Sequence, residues 1–128
     1  MNANEVQTRT SVYHLGADGI IRSTVISGTA ETLADAQENI RAAAALARGQ
    51  RRPVLVDMRG MKSQDREARM YYSGSEATQV ARALALLSGS RVNTLIANFF
   101  LAVTKLSIPT KLFTDEVEAV TWLKGFLQ

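Results

Sequence analysis

Apolar and polar residues change their period several times along this chain, and each change marks an element. In residues 6–15 and 20–26, β-branched and polar residues mix in two short runs that flank Gly16-Ala17-Asp18-Gly19. The Asp-Gly step supplies the positive backbone angles of a tight connection, so the two runs read as a β-hairpin. Leu33, Ala36, Ile40, Ala43, Ala44 and Ala47 then recur at helical spacing, and Gly49 supplies a stop. Thr32 followed by Asp35 resembles a helix N-cap with an acidic third position, favourable at the positive end of the helix dipole. The alanine-rich stripe predicts a helix lying close against a sheet.

Pro53-Val54-Leu55-Val56-Asp57 is an almost continuous apolar run, as expected of a central strand buried on both faces. After a charged connection, Ala68, Met70 and Tyr71 suggest a helix running into Ser73-Gly74-Ser75. The stretch VARALALL at residues 80–87 is ambiguous. Its alternation around Arg82 suits a strand, and its alanine and leucine content suits a helix. Past Ser88-Gly89-Ser90, the positions Val92, Leu95, Ile96, Phe99, Val103 and Leu106 form a helical stripe with Ser90 as its N-cap. Pro109 ends that helix and Lys111-Leu112-Phe113 makes a short strand. Asp115 with Glu118 has the form of a capping box for a last helix carrying Val117, Val120, Leu123 and Leu127. The order is ββαβαβαβα, which implies an α/β domain whose N-terminal hairpin joins a mostly parallel sheet with packed helices.

Composition narrows the function more than it defines it. With 128 residues, 46% of them hydrophobic and 21% charged, a single core over residues 1–128 is the economical reading. The absence of cysteine excludes disulfides, thiolate nucleophiles and iron–sulfur ligation, and fits a reducing cytoplasm. MNANEVQTRT lacks the basic and apolar regions of a secretory signal, and no apolar stretch is long enough for a membrane span. The net charge of +3 invites a nucleic-acid reading. Against it, Arg59, Lys62, Arg66 and Arg69 are interleaved with Asp57, Asp65 and Glu67, the pattern of a solvated face.

The order of elements, together with VLVDMRGMK at residues 54–62, IANFFLAV at 96–103 and PTKLFTDEVEAVTWL at 109–123, resembles the SpoIIAA-like branch of the STAS superfamily, a group of small bacterial STAS/SEC14-like domains. The resemblance covers nearly the whole chain and implies a STAS-like scaffold. In phosphorylation-controlled relatives, an Asp-Ser-Ser-Gly motif follows the strand that ends in hydrophobic-Asp-hydrophobic. Here Asp65 matches, but Arg66, Glu67 and Ala68 replace the serines and glycine. The resemblance thus implies a domain without the phosphoserine switch, with Ser63 the only hydroxyl nearby.

Candidate chemistry is sparse. His14 is the only histidine, so no catalytic triad or multi-histidine metal site can be assembled with it, and no cofactor loop is present. Asp57 falls at the carboxyl end of a parallel strand, the edge where open α/β sheets bind ligands, although pairing with Arg59 would account for it structurally. Ser88-Gly89-Ser90-Arg91 offers hydroxyls at a helix N-terminus, the elements of a modest anion site or simply of a cap. Tyr71-Tyr72 and Phe99-Phe100 cannot each bury both members on one helical face, because sequence neighbours lie about 100° apart. One of each pair faces a cavity, a subunit or another helix.

Asp57, Arg59, Ser63, Tyr71, Ser88, Ser90 and Phe100 are therefore the candidate ligand- or partner-binding residues, with no catalytic residue or metal ligand among them. The leading expectation is a non-catalytic regulatory or scaffolding module that binds an unknown protein partner, as a homodimer. The alternative is a small-molecule or lipid-type binding protein holding an apolar or anionic ligand between sheet and helices.

Overall fold

The computed structural model describes residues 3–89, 94 and 107–127. Its elements are β1 (Glu5–Gln7), β2 (Ser11–Leu15), β3 (Ile21–Val25), β4 (Thr29–Glu31), α1 (Leu33–Ala47), β5 (Arg52–Asp57), β6 (Met61–Gln64), α2 (Arg66–Tyr72), α3 (Ser75–Thr78), β7 (Ala81–Leu87), β8 (Thr110–Phe113) and α4 (Glu116–Lys124). Among the described residues the strands form a six-stranded sheet in the order β1-β2-β3-β5-β7-β8, and β4 pairs separately with β6. β2 pairs antiparallel with both β1 and β3, and β3, β5, β7 and β8 are mutually parallel. The expected hairpin and mostly parallel sheet are both present.

The hairpin connects β2 to β3 where Asp18-Gly19 indicated. Gly19 adopts φ +86°, and the loop is closed by Gly19 N–H to Gly16 O and Gly16 N–H to Ile20 O, both 2.9 Å. The first apolar–polar run, however, is two strands. Thr8 turns the chain back on itself: its amide donates to Ser11 O at 2.8 Å, and its hydroxyl accepts the Ser11 amide at 3.1 Å. This side-chain closure of the backbone breaks the run between β1 and β2.

α1 starts at the capping box that Thr32 and Asp35 indicated. The Asp35 amide donates to Thr32 Oγ1 and the Thr32 amide donates to Asp35 Oδ2. Its sheet-facing side departs from the apolar stripe: Leu33 and Ala44 are exposed, whereas Ala36, Asn39, Ala42, Ala43, Leu46 and Ala47 are buried. Asp115 caps α4 by accepting the Val117 and Glu118 amides at 2.8 and 3.2 Å. Val117, expected on the inner stripe, is instead 74% exposed, because the face of α4 that meets the sheet is set by Ala119 and Leu123. Residues 80–87, ambiguous in sequence, contribute a strand. β7 lies between β5 and β8, so tertiary pairing overrides the helix propensity of its alanines and leucines. The helix expected over residues 90–106 lies outside the described residues apart from Thr94.

The two faces of the sheet are covered differently. On one, Leu55, Ala83, Ala85 and Leu87 pack with Ile20, Phe113, Ala119 and Leu123 beneath α4. On the other, Tyr13, Ile21 and Val54 pack against Ala43 and Leu46 of α1, with Val25, Met58, Met61 and Leu86 continuing the layer towards α2. The pleat accounts for this division, since Val54 and Val56 point one way and Leu55 the other.

Two stability predictions follow from these contacts. A Cβ at Gly60 would lie 2.7 Å from Val25 O and 3.0 Å from the Ser27 backbone, so Gly60→Ala must separate two backbone segments. We expect a loss of about 1–3 kcal/mol, read as a lower urea midpoint, and an unchanged midpoint would refute the close approach. Asp35, held by Arg9, accepts hydrogen bonds from the Arg9 guanidinium and, despite partial burial, from Thr32, which brings its pKa from 3.8 to about 2. Because the folded pKa is depressed, this contribution is present above pH 3.8 and is lost as pH falls towards about 2. Acid-unfolding curves of the wild type should show that loss, and Asp35→Asn should remove it.

Candidate functional site

A cavity of about 110 Å³ lies between the α1–α3 face of the sheet and the helices. Its walls are largely apolar, with Val54, Val56, Leu84 and Leu86 rising from β5 and β7, Ile40 and Ala43 from α1, and Ala77 from α3. The space exists because small residues occupy positions where a helix–sheet layer ordinarily carries large ones. Ser11 and Ser23 stand on the inner face of β2 and β3, and Ala43, Ala77 and Ala81 face them or flank them.

Polar groups collect at one end, near the carboxyl ends of β3 and β5, where Ser11, Glu31, Gln64 and Tyr72 join the lining. β4 and β6 were not legible as strands, being three and four residues long and largely polar. Their pairing brings Glu31 opposite Gln64, and Gln64 Nε2 donates to Glu31 Oε1 at 2.8 Å. Asn39, only 1% exposed on α1, stands at the centre of the cluster. Its amide nitrogen lies 3.0 Å from Glu31 Oε2, 3.0 Å from Thr10 Oγ1 and 3.1 Å from Tyr72 OH, while its carbonyl accepts from Thr8 Oγ1 at 2.6 Å.

Burial raises the Glu31 carboxyl above its ordinary value, and the hydrogen bonds from Gln64, Tyr72 and Thr10 offset only part of that cost. Burial likewise pushes up the phenols of Tyr13 and Tyr72. Tyr13 is directly opposite Ser23 in the β2–β3 register, and the Ser23 hydroxyl hydrogen-bonds it. Ser11 differs from its neighbours: its side chain is 1% exposed and lines the cavity, yet its Oγ has no hydrogen-bond partner among the described residues.

The residues singled out from sequence fall elsewhere. Asp57 and Arg59 form a closed pair at the end of β5: Arg59 donates to Asp57 from its amide at 3.1 Å, from Nε at 2.9 Å and from a terminal nitrogen at 2.7 Å. Burial would raise the Asp57 carboxyl, but these bonds and the arginine charge hold it below its ordinary value. Ser88 is buried beside them at the end of β7, with its hydroxyl 3.2 Å from Thr94 Oγ1, and a Cβ on Gly89 would meet the Arg59 side chain at 2.9 Å. The structure thus brings Asp57, Arg59 and Ser88 to one edge. Ser63 is exposed on β6, and Ser90 and Phe100 lie outside the described residues.

Of the tyrosine pair, Tyr72 turns into the cavity, whereas Tyr71 donates to Glu76 at 2.7 Å on the surface. Neighbours about 100° apart on α2 thus face different ways, and the member in the cavity lining is Tyr72 rather than Tyr71. Sequence reasoning also missed Ser11, Ser23, Glu31 and Asn39. A signal was available, since in Ser11–Leu15 the inward positions are Ser11, Tyr13 and Leu15 while Val12 faces outward. Polar inward positions on a sheet flanked by helices are what a cavity needs. No cluster of three or more metal-ligating side chains occurs among the described residues, and none of their helices is long and apolar enough to cross a membrane.

A family model described as a domain of unknown function, DUF7793, matches residues 13–127. The chain belongs to the DUF7793 family. No curated protein matches it. Among solved structures, an uncharacterized DUF3478-family protein with a SpoIIAA-like fold from Shewanella loihica PV-4 is 16% identical, with 93% of this chain and 90% of that chain covered and a TM-score of 0.56. A protein of unknown function from Arthrobacter sp. FB24 is 34% identical over 93% of this chain and 96% of its own, with a TM-score of 0.31. The first likeness establishes that this DUF7793 domain has a SpoIIAA-like fold, as the motifs at residues 54–62 and 109–123 implied.

The buried carboxyl gives a pH prediction opposite in sign to that of Asp35. Since the folded pKa of Glu31 is raised above 4.5, folding favours its protonated form, and stability is lost as pH rises from 4.5 through the folded value. In Glu31→Gln, which does not titrate, urea midpoints between about pH 4.5 and 7.5 should decline less than in the wild type. Equal slopes would show that Glu31 does not sense the burial described.

Proposed function

We propose that this domain acts by binding a small, mainly apolar molecule in the cavity between the sheet and α1, α2 and α3. The observation that carries the reading is the pairing of an apolar chamber with a buried polar end, the combination by which proteins hold and orient small ligands. Its position supports the same reading, because the polar end lies towards the carboxyl ends of β3 and β5, where open α/β sheets place their ligands. Binding without turnover is favoured by the chemistry of the lining. Glu31 is engaged by several donors, and Ser11 has no neighbouring base among the described residues, so neither forms an activated nucleophile–base pair. The volume also sets a scale. Engineered apolar cavities of about 150 Å³ bind benzene, so a chamber of about 110 Å³ suits a molecule near one ring in size rather than a long acyl chain.

The reading is tested with toluene and p-cresol as probes in methyl-detected NMR titrations. Shifts should concentrate on Val54, Val56, Met58, Met61 and Leu86. Ala43→Leu and, separately, Ala77→Leu place a larger side chain in the chamber and should weaken both probes at least tenfold while the protein stays folded by circular dichroism. Absence of binding in the wild type, or unchanged binding in both filled variants, would overturn the assignment.

A further inference from the structure

We infer that the ligand of this cavity is an uncharged single-ring molecule bearing one hydroxyl, which pairs with Ser11. The inference rests on the binding role proposed above and adds the chemistry of the head group. Three observations lead to it. First, Ser11 belongs to the cavity lining, and its hydroxyl is enclosed there with no hydrogen-bond partner among the described residues. Such a group costs stability unless something entering the cavity satisfies it. A serine hydroxyl both donates and accepts, so a neutral hydroxyl is its natural counterpart.

Second, the charged alternatives are poorly served. No lysine, arginine or histidine is among the described lining residues, whereas the carboxyl of Glu31 is, so among them a carboxylate or phosphate ligand would find no countercharge and would lie beside an acidic group. An ammonium fares little better. Glu31 Oε1 already accepts from Gln64 and Oε2 from Asn39, with Tyr72 and Thr10 also hydrogen-bonded to the carboxyl, so the carboxylate is occupied by its own network. Third, the remaining hydroxyls of the described lining are committed within the protein: Tyr13 with Ser23, Tyr72 with Asn39 and Glu31, and Thr78 with the Gly74 carbonyl. Ser11 is left as the group that distinguishes a hydroxylated ring from a bare one.

The test compares four probes of one shape, p-cresol, toluene, p-toluate and 4-methylbenzylamine, by NMR titration at about pH 7 against wild type and Ser11→Ala. In the wild type, p-cresol should bind at least tenfold more tightly than toluene, and p-toluate and the amine more weakly than p-cresol by a similar factor. Ser11→Ala removes an unsatisfied buried hydroxyl, so it should fold at least as stably. It should keep its toluene affinity and lose the p-cresol preference, while Ser11→Thr, which restores a hydroxyl, should regain part of it. If toluene matches p-cresol in the wild type, if p-toluate or the amine binds best, or if Ser11→Ala retains the preference, the head-group inference is overturned while the cavity reading stands. If toluene and p-cresol both fail to bind, the cavity reading itself fails.

Discussion

The amide of Asn39 is the interaction on which the cavity-lined half of this domain depends. It is enclosed on the sheet side of α1 and joins three segments at one point: the β1–β2 turn through Thr8 and Thr10, β4 through Glu31, and α2 through Tyr72. A buried amide must have its donors and acceptors met, so these segments can sit in only one arrangement around it. Truncating Asn39 would strand several partners at once, which makes the network a more demanding constraint than any apolar contact nearby.

That network also explains why the two faces of the sheet are packed differently. Under α4, Ala83 and Ala85 let the helix come close, and Ile20, Leu87 and Leu123 fill the layer without polar groups. Under α1 the chain places Ser11, Ser23 and Tyr13 on the inner face; Tyr13 and Ser23 pair with each other across β2 and β3, while the polar groups of α1, β4 and α2 satisfy one another beside them. Among the described hydroxyls of this face, Ser11 is the one without a partner. A face built from small and polar residues cannot close as tightly as one built from leucine and alanine, and the cavity is the geometric result.

The SpoIIAA-like fold does not by itself settle what the domain binds, because one scaffold carries many functions and the site decides among them. In this chain the loop edge of the sheet, where Asp57 and Arg59 meet Ser88, is internally neutralised: the arginine is chelated by its own neighbour and lies 3.6 Å from Glu116. The interior face has the opposite character, with apolar walls, a carboxyl engaged by several donors and, among the described residues, an unmatched hydroxyl at Ser11. Our functional reading follows that contrast.

Local pattern was enough to define most of the elements. Asp18-Gly19 placed the hairpin, Thr32 with Asp35 and Asp115 with Glu118 placed the starts of two helices, and the apolar run from Pro53 to Val56 placed the central strand. These signals are local because turns and caps are satisfied by atoms a few residues away. β7 was not decidable from its own residues, since alanine and leucine suit either state and only pairing with β5 and β8 selects the strand. β4 and β6 were invisible for the same reason in stronger form: each has too few residues to show a period and gains its structure from the other. The site was least legible of all. Thr8, Thr10, Ser11, Glu31, Asn39, Gln64 and Tyr72 are spread over more than sixty positions with no spacing that links them, and each is unremarkable alone. Only tertiary packing, by removing water from all of them together, turns ordinary polar residues into a network that must be satisfied and leaves the Ser11 hydroxyl beside it without a partner among the described residues.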